Sequence, residues 1–206
     1  NGTGDLTGAA AGDGRTTTYT VDAKGHTTAI TGPDGAAWAQ TFDAAGRVLT
    51  ESAPAYTAPG ATSPVTPVTR TAYDASGQVV STTDPSGNVT KYAYDQLGDL
   101  TQQTNPDGGV VSSTYDLGGE QLSTTDALGA VTSATYDFMG RRLTQTDQVR
   151  QPTARNLTTS YTYGSNGWLA STTSPAGVVQ RQTVDAAGEP TSTIDGAGNS
   201  TSYAYD

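Results

Sequence analysis

Hydrophobic and polar residues alternate along this chain in short stretches that are rich in Thr, Val, Tyr and Leu. Rings stand two residues apart near the ends of several stretches, at Tyr92 and Tyr94, Tyr161 and Tyr163, and Tyr203 and Tyr205. Alternate residues of a β-strand point to the same face, so this spacing places both rings on one side of a strand. No stretch carries apolar residues at the spacing of a helix. The pattern therefore predicts an all-β chain.

A dipeptide of an aromatic or β-branched residue followed by Asp closes these stretches at a regular interval. It occurs at Val21-Asp22, Phe42-Asp43, Tyr73-Asp74, Tyr94-Asp95, Tyr115-Asp116, Tyr136-Asp137, Val184-Asp185 and Tyr205-Asp206, and in degenerate form at Tyr163-Gly164. Successive copies are 21 residues apart, except for intervals of 31 after Asp43 and 27 after Asp137. This spacing identifies a tandem repeat.

Glycines mark two turns in each repeat. One glycine stands three residues after the Asp, and a second often follows ten residues later, as Gly77 and Gly87 do after Asp74. An Asp carboxylate can bond the backbone two residues onward and glycine accepts a positive φ, so Asp-x-x-Gly predicts a tight turn. Each 21-residue unit is thus expected to form one antiparallel β-hairpin. The structural motif is clearest at Tyr73, Asp74, Gly77, Tyr94, Asp95, Gly98, Tyr115, Asp116, Gly119, Tyr136, Asp137 and Gly140.

The number of repeats predicts a large sheet. About nine hairpins give roughly 17–18 strands, and a sheet of more than about 10 strands has to curl, because each strand is twisted relative to the next. We therefore expect one long coiled sheet. Rings at equivalent positions, Tyr73, Tyr94, Tyr115 and Tyr136, are expected to form a ladder of aromatic pairs across the strands.

The two irregular intervals predict where the array departs from its period. Residues 1–18 are interpreted as a partial repeat or lead-in, and residues 19–206 as the array, with loop insertions at about 52–69 and 148–157. Both insertions replace the second turn of a repeat. The first one carries four prolines and is expected to be an exposed, partly extended loop.

Composition narrows the functional classes. Leu, Ile, Val and Phe number 28 of 206 residues and the formal net charge is −10, which is typical of disordered chains unless a repeat combines small apolar faces. The acidic charge argues against nucleic acid, which needs a basic face. No apolar run approaches the about 18–20 residues of a membrane helix.

Because the chain begins at Asn1 and its single methionine is Met139, we expect it to be part of a longer protein.

The repeat resembles the YD repeat. The clearest copy runs from Tyr73 through Asp84-Pro85-Ser86-Gly87 to Tyr94-Asp95, and the resemblance extends from about Thr18 to Asp206. This motif is the signature of Rhs proteins, wall-associated polymorphic toxins, insecticidal toxin-complex C components and the extracellular barrel of teneurins.

The resemblance implies a shell. Repeats of this family spiral into a hollow β-cocoon that encloses a C-terminal toxic polypeptide, or form an extracellular barrel used in recognition. The chain would then be an arc of such a wall in a secreted or cell-surface bacterial protein. Its partners would be the remainder of the shell and a C-terminal toxin domain. Unpaired edge strands could also let copies of the chain associate.

The sequence predicts no catalytic, cofactor or metal residues. The repeat aspartates lack the clustered oxygen ligands of a calcium loop, and turn capping accounts for them. A Ser-His-Asp triad would have to use His26, the single histidine, which follows Gly25 in a repeat turn and is expected at the surface. There is no cysteine, so disulfides and thiolate sites are excluded. The chain is therefore interpreted as non-catalytic.

Sugar binding is the alternative to a purely structural role. Exposed aromatic rings on a β surface can stack on pyranose rings, and Thr and Gln side chains can bond hydroxyl groups. Trp168 stands directly after Gly167, outside the register of the tyrosines, and is the best candidate for such a contact, followed by Trp38. The alternative function is a carbohydrate- or receptor-binding adhesion module.

Overall fold

A computed structural model describes residues 8–10, 15–149 and 153–205. Residues 1–7 and 11–14 of the expected lead-in, residues 150–152 of the second expected insertion, and Asp206 of the last repeat dipeptide lie outside the described residues. Among the described residues, no helix is long and apolar enough to cross a membrane.

The chain is all-β and its strands pair in antiparallel fashion, which confirms the predicted fold class. The described residues form eighteen strands, namely β1 (Gly8–Ala10), β2 (Thr16–Val21), β3 (Thr27–Thr31), β4 (Ala37–Phe42), β5 (Val48–Ser52), β6 (Val68–Tyr73), β7 (Val79–Thr83), β8 (Val89–Tyr94), β9 (Leu100–Thr104), β10 (Val110–Tyr115), β11 (Gln121–Thr125), β12 (Val131–Tyr136), β13 (Arg142–Val149), β14 (Arg155–Tyr163), β15 (Leu169–Thr173), β16 (Val179–Val184), β17 (Pro190–Ile194) and β18 (Ser200–Ser202).

The strands fall into two compact units. The first comprises Asn1–Ala93 with Thr104–Gly108, and the second comprises Tyr94–Gln103 with Gly109–Asp206. Within the first unit, each strand from β1 to β7 pairs with the next strand along the chain. Within the second unit, each strand from β10 to β17 does the same. Each unit is thus built from successive hairpins, as the repeat predicts.

The turns that begin at the Asp of the repeat dipeptide, here called YD turns, share one geometry. In the turn after β4, the Gly46 N–H donates to the Asp43 carbonyl at 3.1 Å, and the Asp43 N–H donates to the Arg47 carbonyl at 2.9 Å. Gly46 has a φ of 83°, and the register shifts by one residue between Thr41 and Phe42. A tight turn followed by a left-handed glycine and a bulge is a preferred way to close a hairpin, and it needs glycine at that place.

The two insertions are more regular than the sequence suggests. In the first, Tyr56 and Val65 form an isolated antiparallel bridge, and the Ala53 N–H donates to the Pro67 carbonyl at 3.0 Å. The segment therefore folds back on itself. In the second, β13 and β14 continue to Val149 and Arg155, so most of the added residues lengthen a hairpin. Backbone pairing between neighbouring segments accounts for both.

The sheets have two different faces. The Tyr or Phe of the repeat dipeptide and the residue two before it lie on the more protected side, here called the tyrosine face. The opposite side carries cross-strand hydroxyl pairs, such as Thr41 with Thr50 and Thr135 with Thr144, each 2.7 Å apart between Oγ1 atoms. Pairs of this kind stabilise a sheet by about 0.2–1 kcal/mol each.

No described side chain is fully buried, hydrophobic or polar. A conventional core is therefore missing from the described residues, and backbone ladders, turn contacts and cross-strand pairs have to maintain the structure.

Candidate functional site

The repeat carboxylates are engaged in closing their own turns. In the turn after β4, Asp43 Oδ1 accepts the N–H groups of Ala45 at 2.8 Å and Arg47 at 3.0 Å. In ten turns, the Asp Oδ1 accepts the backbone N–H of the residue four positions later. These aspartates are Asp22, Asp43, Asp74, Asp84, Asp95, Asp116, Asp126, Asp137, Asp185 and Asp195. The structure therefore gives these carboxylates the turn role that the sequence assigns to the repeat Asp. Among the described residues, no three His, Asp or Glu side chains lie close enough together to hold a metal ion.

These hydrogen bonds favour the ionised carboxylate. The His26 ring lowers the pKa of Asp22, since its Nδ1 lies 2.9 Å from Asp22 Oδ2. The backbone N–H and then the guanidinium of Arg47 lower the pKa of Asp43. The Arg141 side chain, with Nε 2.7 Å from Oδ2, lowers the pKa of Asp137. The pKa values of Asp74, Asp84, Asp116 and Asp195 are lowered as well.

The turn after β10 brings two carboxyl groups into contact. Glu120 occupies the place that Arg47 and Arg141 fill in their own turns, and its side chain faces that of Asp116. The hydrogen bond with Asp116 raises the pKa of Glu120, because two neighbouring carboxylates share a proton more easily than they bear two charges.

After several YD-turn glycines, the following residue reaches the next repeat. The His26 ring stacks on Phe42 with ring centres 4.8 Å apart. The Arg47 guanidinium lies 4.6 Å from the centre of the Tyr73 ring, and Arg141 makes the same contact with Tyr163. Cations bind favourably over aromatic faces.

This arrangement differs from the expected ladder of aromatic pairs. Equivalent tyrosines are two strands apart, which is roughly 10 Å, whereas ring pairs need centres about 4.5–7 Å apart. The space between repeats is bridged by the side chains after the glycines and by tyrosine hydroxyls. Those of Tyr115, Tyr136, Tyr163 and Tyr205 donate to backbone carbonyls in the preceding repeat at 2.8 to 3.0 Å.

The sequence did not reveal these bridging residues, because they stand at the same position of the repeat but have chemically different side chains. The residues after the glycines are His26, Arg47, Gln78, Asp99, Glu120, Arg141, Trp168 and Glu189. The available signal was the fixed position after glycine, together with the expectation that Trp168 lies outside the tyrosine register.

His26 is placed as a structural residue. Its Nδ1 is bound to Asp22, and its Nε2, the nitrogen that a triad would direct at a serine, lies 3.0 Å from where a Cβ on Gly46 would be. A glycine offers no nucleophile, so this geometry does not assemble a Ser-His-Asp triad.

The two tryptophans have similar exposure but different surroundings. Trp168 is 46% exposed, and its ring covers the next YD turn, with Cζ2 2.5 Å from where a Cβ on Gly188 would be. Trp38 is 47% exposed and borders an open cavity of about 480 Å³ on the first unit. Trp168 therefore packs on the next YD turn, while Trp38 borders open space.

The wall of the Trp38 cavity combines an indole with hydrogen-bonding groups. Trp38 pairs across the strands with Ile30, and Gln40 pairs with Glu51. Gln40 Nε2 donates to Glu51 Oε1 at 2.7 Å, which fixes both side chains beside the indole. Apolar clefts with a few fixed polar groups are the usual form of small-ligand sites.

The packing of Trp168 predicts a difference between two glycines that both have positive φ. Gly177→Ala (φ 79°), with nothing within 4 Å of its Cβ, should destabilise the chain by about 1–2 kcal/mol through backbone strain alone. Gly188→Ala (φ 89°) should cost more, because the indole of Trp168 has to move as well. Chemical denaturation of both variants measures the difference.

The control is the same pair in a Trp168→Ala background, where the extra cost of Gly188→Ala should disappear. An equal cost for both glycines with Trp168 present would contradict the packing.

The pKa shifts predict acid sensitivity of a definite sign. A carboxyl group whose pKa is lowered by folding stabilises the folded chain above its ordinary value, about 3.9, and this contribution is lost as the pH falls through the lowered value. Glu120 has the opposite sign, because its raised pKa costs stability as the pH rises past about 4.3. Thermal melting from pH 7 to pH 2 should therefore show a steep loss of stability below about pH 4.

The variant Glu120→Gln separates the destabilising effect of the raised Glu120 pKa from the stabilising effect of the lowered Asp pKa values. This variant should raise the melting temperature at pH 7 and change it little at acidic pH, and Gln78 shows that glutamine is accepted at this place in a turn. Glu189→Gln, which removes one charge at the same place beside Asp185, controls for net charge. An equal gain in both variants would show that overall charge, and not the Asp116–Glu120 pair, is responsible.

Two segments of the chain match a known family of repeats. The RHS Repeat family model matches residues 21–58 and 73–110. No curated protein matches the sequence.

Two solved structures are similar at low identity. A chain of the Tc holotoxin pore of Photorhabdus luminescens is 16% identical with a TM-score of 0.46, and the match covers 94% of this chain and 15% of that one. A chain of the TcdB2-TccC3 crystal structure without its hypervariable C-terminal region is 15% identical with a TM-score of 0.47, and the match covers 94% and 16%. This chain thus spans about one sixth of the length of those chains.

The matched segments contain hairpins of the same kind that the structure repeats elsewhere in the chain. The YD turn closes at Gly25 and Gly46 in the first segment and at Gly77 and Gly98 in the second. It closes in the same way at Gly119, Gly140 and Gly188, beyond both segments. The described residues thus repeat the hairpin of the RHS Repeat family model, which itself matches residues 21–58 and 73–110.

Proposed function

We propose that this chain is a non-catalytic wall segment of an RHS-repeat shell that encloses a C-terminal toxin and helps to deliver it. The parent would be a secreted or cell-surface protein of a bacterium. The observation that carries this proposal is the lack of any fully buried side chain among the described residues. A sheet with two accessible faces suits a wall, which has to meet contents on one side and solvent on the other.

The placement of the charged groups also supports a structural role. Ten aspartates are bonded within their own turns, and the single histidine is held by Asp22 against Phe42. Catalysis by general acid–base groups needs them to converge on a substrate within hydrogen-bond reach. Here the repeat holds the aspartates in separate turns, and a pair such as Asp116 and Glu120 forms within one turn.

Limited proteolysis of the full-length parent protein tests the enclosure. The region that follows the wall should survive protease concentrations that cut the insertion around Tyr56 and Val65, whose side chains are both exposed. Loosening three YD turns of the second unit, with Asp95→Ala, Asp116→Ala and Asp137→Ala together, should make the enclosed region sensitive.

Asp34→Ala is the control, because Asp34 accepts the Ala36 N–H in the second turn of a repeat, which is not a YD turn. Digestion of the region after the wall at the same rate in the wild type and the triple variant would overturn the proposal.

A second candidate function rests on Trp38. The cavity beside it joins an accessible indole to the Gln40–Glu51 pair, an arrangement suited to a saccharide, because the ring can cover an apolar sugar face while the amide and carboxylate bond hydroxyl groups. In this case the chain would act as an adhesion module.

Glycan-array screening distinguishes this function from the purely structural one. Trp38→Ala should abolish any glycan signal, while Trp168→Ala should keep it, because the Trp168 ring packs on the Gly188 turn. The absence of any glycan signal from the folded wild-type chain would remove the adhesion candidate.

A further inference from the structure

Three consecutive YD turns of the second unit present large apolar side chains to solvent. Leu117 and Phe138 are 94% and 96% exposed, and Leu97 and Met139 are 64% and 62% exposed. We call these four residues the apolar rim. Isolated exposed apolar residues are common at protein surfaces, but a contiguous group marks an interaction site.

The three turns adjoin one another. Asp99 Oδ1, after the first turn, lies 3.9 Å from where a Cβ on Gly119 would be, and Glu120, after the second, contacts the corresponding position of Gly140. Turns two strands apart are separated by roughly 10 Å, so the four side chains lie along one edge over a span of about 20 Å.

The turn itself does not require these residues. At the same two positions, other YD turns carry Ala and Lys (23–24), Ala and Ala (44–45), Ala and Ser (75–76), and again Ala and Ala (186–187). All of these turns close with the same Gly-to-Asp hydrogen bond of 3.1 to 3.2 Å. Since small or polar residues suffice for the geometry, the apolar rim needs another explanation than folding.

The charge around the rim indicates its partner. The three turns, residues 95–99, 116–120 and 137–141, contain five carboxylates and one cation, and that cation, Arg141, is paired with Asp137. A second copy of this chain, with a net charge of −10, would bring like charges together. An anionic lipid surface would be repelled in the same way.

We infer that the apolar rim is a docking surface for a cationic amphipathic polypeptide segment, whose apolar side chains cover Leu117 and Phe138 while its Lys or Arg side chains face the rim carboxylates. This inference does not depend on the shell function, because it concerns one edge of the second unit and not either face of its sheet.

Binding of labelled synthetic peptides to the full chain tests the inference. The probe has Leu on one helical face and Lys on the other; one comparison peptide replaces Leu with Ser, and another replaces Lys with Glu. The probe should bind, and both comparison peptides should bind more weakly. The quadruple variant Leu97→Ala, Leu117→Ala, Phe138→Ala and Met139→Ala should weaken binding of the probe about tenfold or more.

Two controls keep the outcome interpretable. The quadruple variant is expected to fold, because alanine already occupies both of these turn positions in two other YD turns of this chain, at 43–46 and 185–188. Leu128→Ala removes an 86% exposed leucine from the second turn of a repeat, which is not a YD turn, and should leave binding unchanged. A photo-crosslinking amino acid at position 138 should capture the probe in an otherwise unaltered chain, and one at position 128 should not.

Equal binding by the wild type and the quadruple variant would overturn the inference, as would equal binding of the Ser-substituted peptide, which would show that charge alone is sufficient. Concentration-dependent dimers in sedimentation that the quadruple variant abolishes, without peptide binding, would instead assign the rim to a second copy of the chain.

Discussion

The structure depends on a carboxylate that closes most of the repeat turns. An Asp Oδ1 that accepts two backbone N–H groups fixes both the reversal of the chain and the point at which the next strand begins. Register is critical in a strand, since a slip of one residue moves every side chain to the opposite face. Most sheets set register by burying one face in a core. No described side chain is fully buried here, so the turns have to set it.

The glycine of each YD turn serves two purposes, and they act at different ranges. Its positive φ completes the local turn. Its missing Cβ also leaves room for the residue after the preceding glycine, as His26 over Gly46 and Trp168 over Gly188 demonstrate. The repeat is thus coupled to its neighbour through a contact in which one partner is always glycine and the other varies. This explains how the array accepts histidine, arginine, glutamate and tryptophan at one position and keeps its period.

The distribution of side chains separates architecture from recognition. Residues that the repeat needs, namely the aspartates, the glycines and the tyrosines whose hydroxyls bond the preceding repeat, are engaged within the sheet. Residues that the repeat does not need are the ones left accessible. Trp38 borders a cavity beside fixed polar groups, and Phe138 projects from a turn that other repeats build with alanine.

The sequence by itself determined the period, the hairpins, the turns and the all-β class, because each follows from local chemistry: Asp bonds a nearby backbone N–H, Gly accepts positive φ, and alternate residues share a face. The lengthened hairpin at β13 and β14 and the folded-back insertion around Tyr56 were not evident, since they depend on pairing between segments that carry no motif. The different surroundings of Trp38 and Trp168 were decided only by tertiary structure. Trp168 contacts a glycine turn of the next repeat and Trp38 borders an open cavity, and the spacing of residues along one strand does not contain that information.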